Sequence, residues 1–316
     1  MRDLNIKPVR TLFLGSSWES VQTLRTLHQD PRFNIVGVIT TTDKPVGRDH
    51  VITASEVKRY ALKNNIEVFH TEKEEKQYKE ALERFNPELI VCKAFGEIVP
   101  EFFIEFPKYK AINVHFSLLP RYRGAVPIQK AILDGANKTG ISIMLMSKGL
   151  DEGDILTTHE EKILSKDTNL SLRKRLVRKS SEILGEVLEK WVLGEIKPKK
   201  QDSNKATYCW QKDVSKENAK IDWDNMEPEY IERMVRAFLP WPIAWTVWSG
   251  KRVKLFDVDL VKCKEEKRTG ELFINKEKIL FQTKKKDLCI KINNLQIEGK
   301  QRMSAEEFVN GFRRQL

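Results

Sequence analysis

Asn113 and His115 stand two residues apart in Ala111-Ile-Asn-Val-His-Phe-Ser117, a short apolar run with the texture of a buried strand. Strand alternation turns both side chains to one face, at the carboxyl end of that strand. An amide donor beside an imidazole suits acyl transfer. The amide can hydrogen-bond a developing oxyanion while the imidazole manages the nucleophile's proton. Taken alone, the pair reads as readily as a polar strand end with a satisfied core histidine. Downstream, Lys148-Gly-Leu-Asp-Glu-Gly-Asp-Ile155 offers two carboxylates, Asp151 and Asp154, in a glycine-containing loop where solvated turn residues are common.

The elements that must position these groups alternate along the first part of the chain. Thr11 to Gly15 is a strand ending on glycine. Ser17 then precedes a helical pattern with Trp18, Val21, Leu24 and Leu27 on one face. Residues 33–40 form a β-rich run, 41–51 a polar loop, and 54–63 a second helical stretch. Residues 66–69, 89–92, 111–114 and 141–146 are further strand candidates, and 167–191 is a long amphipathic helix. This alternation predicts an α/β fold, a Rossmann-like, mostly parallel sheet whose ligand lies beyond the carboxyl ends of the strands. Gly194-Glu-Ile-Lys-Pro198 has the composition of a linker. Beyond it come a helical segment at 229–238 and short strands at 244–248, 253–260, 278–282 and 288–292, the texture of a small β-barrel. The expected division is a catalytic domain at 1–195, a linker at 196–206, and a C-terminal, OB-like β-barrel domain at 207–316.

Composition narrows the class. Charged residues make up 32% and hydrophobic residues 40%, which excludes a disordered chain. No apolar run reaches the ~20 residues of a bilayer crossing, and the first ten residues lack a secretory core, so the cytoplasm is the expected location. A surplus of 56 Lys+Arg over 45 Asp+Glu, +11 in all, is compatible with a polyanionic partner. The four cysteines, Cys92, Cys209, Cys263 and Cys289, have neither CxxC nor Cys/His metal spacing. Neither a disulfide nor a metal site is expected from them, and Cys92 and Cys289 read as small hydrophobes inside strands.

Asn113-Val-His115 followed by Ser117-Leu-Leu-Pro-Arg-Tyr-Arg-Gly124, with Lys148-Gly-Leu-Asp151-Glu-Gly153-Asp154 downstream, resembles the formyltransferase family that uses 10-formyltetrahydrofolate. The resemblance continues through Asp43-Lys-Pro-Val-Gly-Arg48, through 91–100, and in the C-terminal part through Ser215 to Trp223, Pro240-Trp-Pro-Ile-Ala-Trp245 and Lys300 to Phe308. It implies Asn113, His115 and Asp151 as the catalytic trio, with Asp151 favoured over Asp154 by the motif. On this reading Asn113 and a protonated His115 stabilise the oxyanion, and Asp151 raises the histidine's pKa. It also implies folate contacts at Val91, Phe95, Gly96, Ser117, Leu118, Leu119 and Pro120, and contacts to initiator methionyl-tRNA at Lys44 and Arg48. Formyl transfer for translation initiation by a monomer without a metal is the implied activity. Two departures stand out: Ser16-Ser17-Trp18-Glu19 after the first strand, and Lys93 in Cys92-Lys-Ala-Phe-Gly96, where relatives carry small residues.

Two other activities fit parts of the pattern. A formyltransferase acting on a nucleotide-linked amino sugar would share the catalytic domain. A non-catalytic RNA-binding protein would share the charge and the barrel, but would not need Asn113, His115 and Asp151 together.

Overall fold

The computed structural model describes residues 7–46, 50–275 and 278–312. The chain divides into two compact units. One comprises Met1–Arg123, Gly140–Glu161 and Lys174–Thr207, the other Gly124–Thr139, Lys162–Arg173 and Tyr208–Leu316.

The first unit is built on a seven-stranded sheet: β1 (Val9–Gly15), β2 (Phe33–Ile39), β3 (Val68–Phe69), β4 (Leu89–Lys93), β5 (Ala111–His115), β6 (Lys138–Leu145) and β7 (Ile155–Lys162). Their order is β7-β6-β5-β4-β1-β2-β3. The pairs β1–β2, β1–β4, β2–β3 and β4–β5 are parallel, and β5–β6 is antiparallel. Continuous apolar runs such as Leu12-Phe13-Leu14, with no exposure, belong to strands covered on both faces, as a parallel sheet requires. The order reverses at β1 and β4, so the crevice between their carboxyl ends is the switch point of the sheet.

Helix Trp18–His28 starts on Ser17, whose side chain accepts from the Ser20 amide. Its inward face differs from the expected one: Ser20, Thr23, Leu24 and Leu27 are buried, while Trp18 is 42% exposed. The cause is the tight approach to the sheet. A Cβ on Gly15 would stand 2.7 Å from the Ser20 Cβ, so only a small side chain fits there, and Ser20 Oγ donates to the Lys93 carbonyl at 2.6 Å. Trp18 and Val21 instead line a shallow surface groove with Lys174 and Val177. Helix Glu75–Phe85, hidden by its charged sequence, buries Tyr78, Ala81, Leu82 and Phe85 at helical spacing. The stretch read as a polar loop contains a short hairpin, Lys44–Val46 against Val51–Thr53.

The second unit holds an antiparallel half-barrel: β8 (Trp245–Trp248), β9 (Lys251–Lys262), β10 (Leu272–Asn275), β11 (Lys278–Gln282), β12 (Leu288–Ile297) and β13 (Arg302–Ser304). The order is β8-β9-β12-β11-β10, with β13 also on β12. The long β9 is irregular at Asp257, which lets the sheet curl. Helix Pro228–Ala237 buries Ile231, Met234 and Val235.

One cysteine expectation is overturned. Cys263 and Cys289 form a disulfide, with their Cα atoms 5.9 Å apart. Strands β9 and β12 pair Val261 with Cys289, so Cys263, just beyond, meets it across the sheet. Strand register is invisible in cysteine spacing. Cys92 and Cys209 are buried thiols. Among the described residues no helix is long and apolar enough to cross a membrane, and no group of three or more His, Cys, Asp or Glu could hold a metal ion.

Candidate active site

Strand β5 ends on Asn113 and His115. Its neighbour β6 runs back beside it, pairing Asn113 with Met144 and His115 with Ser142. β6 leaves the sheet beside Ala111, at the opposite end of β5, and the loop that follows folds back toward Asn113 and His115. Met146 N donates to Ala111 O at 2.7 Å, and Leu145 N to Asp154 O at 2.9 Å. This places Asp151 between the two residues of β5. Asn113 Nδ2 donates to Asp151 Oδ1 at 3.3 Å, and Asp151 Oδ2 lies 3.5 Å from His115 Nδ1. The three side chains that the family resemblance implies as a trio therefore form one cluster. Asp154 occupies the return leg of the loop, its carbonyl bound to Leu145.

The loop is held in a demanding shape. Asp151 has φ 51, a left-handed conformation that aspartate tolerates better than most residues. A Cβ on Gly153 would stand 1.8 Å from the Leu145 carbonyl oxygen, so that position must be glycine. Gln201 Nε2 donates to the carbonyls of both Asp151 and Gly153 at 2.8 Å. Arg123, 1% exposed, donates from Nε and Nη2 to Gln201 Oε1 at 3.1 and 3.0 Å, and from Nη1 to Glu152 Oε1 at 3.2 Å. Arg123 thus braces the loop from a buried position. Arg121 lies over the Tyr122 ring at 4.9 Å.

His115 is 6% exposed. Its Nε2 is 2.9 Å from the Tyr122 carbonyl, which can only accept, so Nε2 carries a hydrogen and Nδ1 faces the carboxylate. Burial pushes the imidazole's pKa below its ordinary value. Asp151 and the Tyr122 carbonyl act upward, and Lys93 acts downward. The expected upward push from Asp151 is present, but burial outweighs it, so the resting imidazole is neutral near pH 7. Sequence alone does not report how deep the strand end lies.

The residues expected to touch folate are spread in depth. Val91 is fully buried in mid-sheet, in register with Phe13 and Ile112. Phe95 belongs to the core beneath the loop. Ser117 is also fully buried and donates to Arg121 O at 2.6 Å. Leu119 is buried, its amide held by Ser142 Oγ at 3.1 Å and followed by a cis bond to Pro120. Leu118 and Pro120 are half-buried, and Gly96 is exposed with φ 88. Lys44 is exposed on the hairpin, and Arg48 lies outside the described residues.

Gln201, Thr207 and Ser142 were missed. Thr207 Oγ1 accepts from Tyr122 N at 2.8 Å, and Ser142 Oγ donates to Ser117 O at 2.7 Å. Gln201 and Thr207 sit in or just after a stretch without periodicity, so no pattern marks them. Only chain topology brings them to the site.

The comparisons with known proteins agree over both units. Residues 9–188 match the formyl transferase family model, and residues 213–313 match the formyl transferase C-terminal domain model. A methionyl-tRNA formyltransferase of Caldicellulosiruptor saccharolyticus is 40% identical over 307 residues, 96% of each chain. One from a Sulfurihydrogenibium species is 38% identical over 307 residues, 96% of this chain and 97% of the relative. Among solved structures, an N-formyltransferase from Helicobacter canadensis in complex with folinic acid and dTDP-3-aminofucose shares the fold. Its TM-score is 0.67 at 19% identity, covering 90% of this chain and 98% of that one.

Proposed function

The chain belongs to the formyl transferase family, and on that premise we propose that it transfers the formyl group of 10-formyltetrahydrofolate to the α-amine of initiator methionyl-tRNA for translation initiation. The observation that carries this reading is the Asn113–Asp151–His115 cluster, in a chain with methionyl-tRNA formyltransferases as full-length relatives. A sugar-acting relative resembles it in fold at 19% identity, which supports the fold alone.

The cluster suits the chemistry. An α-amine has an ordinary pKa near ~8, so a useful fraction arrives as the free nucleophile at neutral pH. The folate supplies the formyl carbon. As the amine nitrogen bonds to that carbon, negative charge grows on the formyl oxygen. Asn113 Nδ2 carries two hydrogens, one directed at Asp151, and the other serves that oxygen. His115 takes the proton of the attacking nitrogen at Nδ1, and its imidazolium is then paired with Asp151. His115 returns that proton to the departing folate nitrogen as the carbon–nitrogen bond breaks. The nucleophile comes from the substrate, so no covalent enzyme intermediate is required.

The residues after β4 fit a folate. Ala94 and Gly96 are both exposed with left-handed φ values, 46 and 88, and a Cβ on Gly96 would meet nothing within 4 Å. Ile98, 93% exposed, adds an apolar contact beside them. On this reading Gly96, Leu118 and Pro120, exposed or half-buried, touch the ligand, and the buried Val91, Phe95, Ser117 and Leu119 shape the floor beneath. Lys44 and Arg48 are assigned to the acceptor end of the tRNA, a setting suited to cations near phosphates. The 207–316 segment is assigned to tRNA binding, and the enzyme acts as a cytoplasmic monomer.

The test is a product assay. Purified protein with 10-formyltetrahydrofolate is given methionyl-initiator tRNA in one reaction and a dTDP-linked amino sugar in another. Formyl-methionyl-tRNA in the first supports the reading, and turnover of the sugar alone overturns it.

A further inference from the structure

The end of β4 carries a charge that the reaction steps above do not use. Lys93 is 4% exposed, and its ammonium donates to the Val114 carbonyl at 2.8 Å and lies 3.1 Å from the centroid of the Phe116 ring. Val114 is the residue between Asn113 and His115. The β4–β5 ladder has its last registered pair at Cys92 and Asn113, and one residue past Lys93 the chain turns away at Ala94 with φ 46. The lysine ammonium therefore supplies a donor to β5 where the neighbouring backbone has departed. Its own backbone is anchored, since Ser20 Oγ donates to the Lys93 carbonyl at 2.6 Å.

Burying an ammonium is unfavourable, and the Val114 carbonyl and the Phe116 ring face help to offset the loss of water. A methionine of similar length would fill the same space without that penalty.

We propose that Lys93 is a positioning residue for the formyl transfer assigned above, holding the Val114 carbonyl so that Asn113 and His115 keep their spacing, and fixing a positive charge beside the imidazole. The inference rests on that functional reading. The charged groups facing His115 are Asp151, from the loop after β6, and Lys93, from β4. Cys92, also on β4, has a thiol pushed up to about 12 by burial and stays neutral. Asp151 favours the imidazolium, whereas Lys93, together with burial, favours the neutral ring. The lysine thus helps keep the Nδ1 lone pair available when the amine arrives, and leaves Asp151 to stabilise the ring once it has taken the proton.

The experiment compares Lys93→Met, Lys93→Gln and Lys93→Arg in the full chain with ring-labelled histidine. The protein has five histidines, and loss of a signal in His115→Asn identifies that of His115. In Lys93→Met and Lys93→Gln the imidazole should titrate above wild type, because a neighbouring cation has gone. Their kcat should fall by about tenfold or more, the scale of a small misplacement of catalytic groups, with KM for the tRNA unchanged. Lys93→Arg should restore both properties. An unchanged His115 titration in whichever neutral variant folds overturns the proposal, as does an equal loss in Lys93→Arg. If wild type makes no formyl-methionyl-tRNA, the functional reading has failed separately, and the titration still decides whether Lys93 controls His115.

Discussion

The Tyr122 carbonyl, 2.9 Å from His115 Nε2, decides which imidazole nitrogen is left for chemistry. Tyr122 has φ 58, and its amide is held by Thr207 Oγ1 at 2.8 Å, so the direction of that carbonyl is set by a strained, anchored turn. A carbonyl has no proton to give. Nε2 must be the hydrogen-bearing atom, and the unprotonated Nδ1 faces Asp151. Tautomer, orientation and partner of the histidine thus follow from one backbone contact.

Removing the proposed oxyanion donor should slow the reaction without weakening binding. Asn113→Ala is expected to lower kcat by roughly 10²–10³, the cost of losing one such donor. KM for both substrates should change little, because the interaction strengthens only as charge develops. Steady-state kinetics with methionyl-tRNA check this. A loss confined to KM would mean that Asn113 binds substrate and does not stabilise the oxyanion.

The buried imidazole makes stability depend on pH. Its folded pKa lies below the ordinary value of 6.5, mainly because burial disfavours the charged ring. Above 6.5 the ring is neutral in both folded and unfolded chains and contributes no pH dependence. As pH falls below 6.5 the unfolded chain takes up a proton that the folded chain resists, so the native state loses stability down to the folded pKa. Urea unfolding at pH 7.5 and 5.5 should show a larger loss for wild type than for His115→Asn. Equal losses would mean that His115 titrates normally in the folded protein.

Much of the site was legible because it lies on regular elements. Alternation along β5 is a local property, so Asn113 and His115 could be placed on one face before any fold was known. The apolar runs of β1, β4 and β5 announced a covered parallel sheet for the same reason. Depth was not legible. Lys93 reads as a polar residue at a strand end, and only the packing of Phe116 and Val114 shows it to be internal. Nor was the bracing of Asp151 by Gln201, because Gln201 arrives from an aperiodic stretch through a long-range contact. The Cys263–Cys289 disulfide escaped notice on the same ground, since it depends on register between two strands.

Gln201 tests whether the loop needs its brace. Gln201→Ala removes the donors to the Asp151 and Gly153 carbonyls and the acceptor for buried Arg123. A loss of about 2 kcal/mol in unfolding free energy is expected from these hydrogen bonds. The kcat should also fall by about tenfold, because Asp151 is no longer held against both Asn113 and His115. Denaturant unfolding and kinetics on the same preparation separate the two effects. A variant that loses stability and keeps full kcat would show that the brace serves the fold and not the carboxylate.

Gly153 offers the sharpest steric test of the loop. A methyl group there would stand 1.8 Å from the Leu145 carbonyl oxygen, which is backbone within the sheet and cannot swing aside like a flexible side chain. The loop must therefore lift away, and it carries Asp151 with it. Gly153→Ala should destabilise the protein by about 3 kcal/mol or more, in the range of severe steric defects. Shifting the carboxylate also removes the upward push on the His115 pKa, so the imidazole should titrate lower than in wild type. Thermal unfolding and histidine NMR report the two consequences independently. A stable Gly153→Ala protein with a wild-type His115 titration would show that the loop can relocate its backbone without moving Asp151, and would remove the steric basis for this account of the site.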